Sequence, residues 1–135
     1  MPARPFANRP PATRPFATLT AAAILLATTA CGAPGAAVAA LPEGETALSC
    51  AALIYSANEL VGDGRIADAD GTIKGRYLGV MTGLTTKFAT EEQLDSTEAL
   101  ARVKLLSFKM TGKTGASNDL LSPEAIDTRA RACIG

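Results

Sequence analysis

The sequence predicts an all-α fold: a small bundle of three to four helices closed by one disulfide, preceded by a cleaved signal segment and a flexible linker. Three observations carry that reading. The 135-residue chain is rich in Ala and Leu but holds only four Phe, two Tyr and no Trp. Such small and aliphatic side chains suit helix packing better than a β-sandwich, which draws on β-branched and aromatic residues. Apolar residues recur at spacings of three and four, with no sustained alternation. Two cysteines, Cys50 and Cys133, lie near the two ends of the candidate helical region.

The first 30 residues read as a signal peptide, which extends to residue 40 if cleavage falls later. Residues 2–17 carry Arg4, Arg9 and Arg14 and no acid, and residues 18–30 (TLTAAAILLATTA) are apolar and uncharged. Small residues follow. A positive, then hydrophobic, then small-residue order is that of a secretory signal. All thirteen acidic residues lie after position 42, so the charge asymmetry agrees with the same reading. The apolar run is too short for a membrane span, and Pro34 and Gly35 interrupt its extension.

Two processing routes are open. Cleavage after Ala39 or Ala40 would release a soluble protein. Alternatively, Thr28-Thr29-Ala30-Cys31-Gly32 resembles the lipobox of the bacterial lipoprotein family, with Thr28 where Leu is usual. The resemblance implies lipidation of Cys31, which would then become the new N-terminus. It covers only the first 32 residues. Either route removes or consumes Cys31 and leaves Cys50 and Cys133 as a pair. In an oxidising compartment that pair is expected to form a disulfide.

Residues 31–45 are small, contain Pro and Gly, show no periodicity and read as a flexible linker or tether. The helical domain is expected over 46–135. A first helix spans about Thr46 to Val61, with Leu53, Ala57, Leu60 and Val61 on one face, and Gly62-Asp63-Gly64 ends it. A second covers about Asp70 to Ala89, where Ile73, Tyr77, Val80, Met81, Leu84 and Phe88 form the clearest apolar stripe. Gly75, Gly79 and Gly83 repeat every four residues within it. The spacing resembles a membrane dimerisation face, but Arg76 and Lys87 oppose a span, so close packing inside the domain is expected.

A third helix is expected to begin at Thr90, where Thr90 and Gln93 have the spacing of a capping box. Leu94, Ala99, Val103, Leu106 and Met110 form its apolar stripe, and Gly112 stops it. A fourth starts at Ser122-Pro123-Glu124, with Ile126, Ala130 and Cys133 inward and Asp127, Arg129 and Arg131 toward water.

Composition excludes several functions. The chain after Cys31 carries ten basic and thirteen acidic groups, a net of −3. Nucleic acid would require a clustered positive field, so it is not an expected partner. Membrane contact is expected only through a lipid on Cys31. Histidine is absent, which removes the commonest general base and metal ligand. Asp68, Asp70 and Gly71 mimic part of an EF-hand loop. With Gly71 at its sixth position, Ile66 and Tyr77 stand where the first Asp and the bidentate Glu belong. Gly112-Lys113-Thr114 mimics the end of a P-loop, but position 107 is Ser instead of Gly. No catalytic, cofactor-binding or metal-binding residue is therefore expected.

The resulting expectation is a non-enzymatic accessory or binding protein of the bacterial cell envelope, exported to the periplasm or beyond and partnered by another envelope component. An envelope stress chaperone is a second reading, by analogy of size and disulfide alone. A small hydrolase using Glu91, Glu92, Asp95 or Glu98 is a third, although acids at a helix start are attracted by its dipole.

Overall fold

A computed structural model describes residues 40–135. The signal segment, the lipobox at Cys31 and linker residues 31–39 lie outside the described residues.

Four helices follow in order: α1 (Ala47–Gly62), α2 (Thr72–Glu92), α3 (Ser96–Thr111) and α4 (Pro123–Ile134). The described residues contain no strand. None of their helices is long and apolar enough to cross a membrane.

α1 is the centre of the fold. Thr46 caps it: its hydroxyl accepts from the Ser49 amide at 3.1 Å, and the Ser49 hydroxyl accepts from the Thr46 amide at 2.8 Å. This reciprocal arrangement satisfies two otherwise orphaned donors. The sequence implied one apolar face, yet Ala51, Ala52, Ile54 and Ser56 are buried as well as Leu53, Ala57 and Leu60. A helix buried nearly all round needs neighbours on several sides, and α2, α3 and α4 each pack against α1. Its alanines let them approach closely. Gly64, at φ +71°, makes the left-handed turn after the helix, and the Arg65 amide returns to the Leu60 carbonyl at 2.8 Å.

α2 begins two residues later than expected. Asp68 supplies its cap from outside: its two carboxylate oxygens accept from the Ile73 and Lys74 amides, each at 3.0 Å. Asp70 accepts from the Thr72 amide at 3.2 Å. The aspartates of the EF-hand-like segment therefore serve α2's N-terminus and Arg131.

Two expectations are corrected here. Thr90 does not start α3. It lies inside α2, where its hydroxyl donates to the Thr86 carbonyl at 2.9 Å. Gln93, at φ 55°, ends α2 in the left-handed conformation, and Asp95 caps α3 by accepting from the Glu98 amide at 2.8 Å. The Asp-x-x-Glu pattern displaced Thr-x-x-Gln because the turn buries Leu94 partly against the core and gives the acid to the next helix start. The glycine row is only partly packed inside the domain, with Gly83 half-buried. Gly75 and Gly79 are exposed, and a Cβ placed on Gly75 would meet nothing within 4 Å.

Gly112 ends α3 at φ +77°, where a Cβ would also crowd Leu120 at 3.1 Å. Lys113 pairs with Glu59 at 2.7 Å and lies over the Phe108 ring, so the P-loop-like triplet is a helix end. α4 starts as expected, with Ser122 accepting from the Ala125 amide and Pro123 in the first turn. Ile126, Ala130 and Cys133 are buried. Cys50 and Cys133 stand at disulfide distance, with Cα atoms 5.6 Å apart across 83 positions of sequence. The bond ties α1 to α4.

Arg129 and Arg131 do more than face water. Arg129 meets Glu45 at 2.6 Å, and Glu45 also accepts from the Ser49 hydroxyl. Together with Leu41, which packs on the core, this holds the segment before α1 to the domain. Arg131 contacts Asp127, Asp70 and Asp68 at 2.9, 3.1 and 3.6 Å.

Candidate functional site

α2 and α3 are consecutive helices joined by a short turn, and they pack against each other. Their outer surfaces leave a shallow, open groove of about 340 Å³. Tyr77, Leu78, Met81 and Thr85 of α2 line one side, and Ser96 and Leu100 of α3 line the other. The groove is mainly apolar.

The expected apolar stripe of α2 explains only the floor. Ile73, Val80, Met81, Leu84 and Phe88 are buried against the rest of the domain. Tyr77 is half-buried, and burial pushes its phenol above the ordinary value, with Tyr55 and Glu59 adding to the shift. Leu78 belongs to the other face and is 75% exposed. Leu100 adds a second exposed apolar side chain across the groove. Sequence reasoning missed both leucines, because each sits one position off the buried stripe of its helix. Their signal is an apolar residue on an otherwise polar face.

The threonines differ among themselves. Thr82 donates back to the Leu78 carbonyl at 2.8 Å, as a helical threonine commonly does. The Thr85 hydroxyl is buried and has no hydrogen-bond partner among the described residues.

The other polar residues in question are occupied. Glu91 pairs with Lys87 at 3.9 Å, Glu98 pairs with Arg102 at 2.7 Å, and Asp95 caps α3. The acids singled out by sequence thus stand around the α2–α3 turn in exposed positions. The buried hydroxyls of Ser56 and Ser107 lie 2.8 Å apart, and Ser56 also donates to the Ala52 carbonyl at 2.8 Å. They form a polar bridge between α1 and α3 inside the core. No group of His, Cys, Asp and Glu suited to a metal occurs among the described residues. Cys50 and Cys133 are brought together, as expected.

Compared with protein-family models, curated proteins and solved structures, the chain matches none.

Proposed function

We propose that this protein is an exported, non-enzymatic binding domain of the bacterial cell envelope, and that it works through the α2–α3 groove. The observation that carries the proposal is Leu78, 75% exposed beside an apolar groove. An apolar side chain held in water next to an apolar concavity gains free energy when covered. Helix geometry fixes its position, so the surface is preformed and ordering it costs little at binding.

Export is supported by the Arg-then-apolar N-terminal pattern and by a cysteine pair at disulfide distance, which suits an oxidising compartment. The non-enzymatic reading is supported by the ties of Glu91, Asp95 and Glu98 to neighbouring structural groups.

The test is cross-linking in intact cells from a photoreactive residue at Thr82, with the same residue at Asp119 as control. Covalent adducts from position 82 and not from 119 are expected, in the envelope fraction. No adduct, or equal adducts from both positions, would remove the groove as the working surface. A cytoplasmic protein with free thiols at Cys50 and Cys133 would remove export.

A further inference from the structure

We infer that the occupant of the α2–α3 groove is a second copy of this chain, docked antiparallel about a two-fold axis that crosses α2 near Thr82. The inference rests on the binding role proposed for this face and names its partner.

Charge pattern selects the occupant. Lys74 and Glu92 sit at opposite ends of α2, five full turns apart at about 3.6 residues per turn, so they share one line along the helix. Both are exposed. On α3, Ser96 and the acidic turn follow Glu92 directly in the chain, and Lys104 lies one turn beyond Leu100, away from that turn. Acids thus gather at the Glu92 end of α2, while Lys74 stands at the other end, where Asp68 and Asp70 are tied to the helix cap and to Arg131. A two-fold axis perpendicular to α2 reverses its direction and sets each Lys74 opposite the other copy's Glu92. An isologous interface must be complementary to itself, and this polarity meets that condition.

Shape meets it as well. The same operation carries Leu78 about one turn past the centre, onto the stretch of the other copy that holds Thr85 and Leu100. Each copy then supplies one leucine to the other's groove. The glycines fit the same contact. Gly75 and Gly79 lie in the helix interior on the exposed side, where each costs about 1 kcal/mol relative to Ala. Nothing in the domain approaches Gly75. Small residues at that spacing allow a second helix to come close.

Sedimentation equilibrium on the processed protein tests the pairing. A reversible dimer is expected, with Leu78→Glu weakening association on the order of tenfold or more while circular dichroism stays helical. Lys74→Glu alone and Glu92→Lys alone should each weaken it severalfold. Mixing those two variants should restore it, because each mixed dimer then carries two opposite-charge pairs. A chain that stays monomeric at high concentration, or a dimer indifferent to Leu78→Glu and to charge reversal, overturns the inference. In the cellular cross-linking experiment, an adduct of twice the chain's mass supports self-pairing. An adduct with a different protein overturns it while leaving the binding role intact.

Discussion

Asp68 caps α2 with both carboxylate oxygens and lies 3.6 Å from the guanidinium of Arg131 on α4. One side chain thus sets where the second helix starts and connects it to the last. Its carboxylate is only 3% exposed, and the two backbone amides and Arg131 are its partners there. Asp68→Ala should lower unfolding free energy by about 1–2 kcal/mol, the ordinary scale of a lost helix cap. Asp68→Asn keeps one acceptor and should lose less. Urea denaturation followed by circular dichroism measures both.

The neighbouring Asp70 makes the same corner pH-dependent. Hydrogen bonds from Thr72 chiefly, and then from Arg131, hold its carboxyl well below the usual carboxylate range. The unfolded chain therefore binds that proton more readily than the folded one. The stabilisation is complete above the ordinary aspartate pKa and is lost as pH falls through that range toward the lower folded value. The urea midpoint should drop on acidification from pH 6 to 3, and Asp70→Asn should flatten that dependence. Asp70 is exposed, so the individual contribution is small.

Ser56 and Ser107 should behave as a coupled pair. Replacing Ser56 by Ala strands the buried Ser107 hydroxyl, which costs about 1–3 kcal/mol, whereas Ser56 keeps the Ala52 carbonyl when Ser107 is replaced. Replacing both removes the donor and the acceptor together. A double-mutant cycle should therefore give a double variant more stable than the sum of the two single losses. Additive losses would show that the 2.8 Å contact carries no energy.

Reduction of the Cys50–Cys133 pair should destabilise the domain strongly. On the chain-entropy account a loop of this length restricts the unfolded state by about 4–5 kcal/mol. Thermal melts with and without reductant measure the loss. Alkylation of the unreduced protein should find neither thiol.

Gly75→Ala separates the two roles of α2. The new methyl meets nothing in the domain, so helix propensity alone should raise stability by about 1 kcal/mol. The same methyl stands between two copies and should weaken their association. Unfolding and sedimentation measured on one sample show whether the effects have opposite signs.

The helices were largely legible because their ends carry specific chemistry. Thr46, Gly64, Gly112 and Ser122-Pro123 all stand at the boundaries their residue types imply. The α2–α3 turn was not legible, because Thr90-x-x-Gln93 and Asp95-x-x-Glu98 are overlapping start signals. Only the burial of Leu94 and the left-handed Gln93 decide between them. The central place of α1 was hidden for a related reason. Ala51, Ala52 and Ser56 are too small to stand out in a periodic pattern, so a helix buried on many sides looked one-sided. The groove was half legible. Tyr77 and Met81 were visible as part of the core stripe, whereas Leu78 and Leu100 gain meaning only once α3 is laid beside α2.

Isotope-filtered NMR on a mixed sample tests the self-docking of the groove most directly. Half the chains carry labelled leucine methyls and half carry labelled threonine methyls. At a concentration above the association midpoint, contacts between Leu78 of one chain and Thr85 or Thr86 of another are expected, and Leu78→Glu should abolish them. Their absence in a sample that sedimentation shows to be dimeric would place the interface elsewhere and contradict the account.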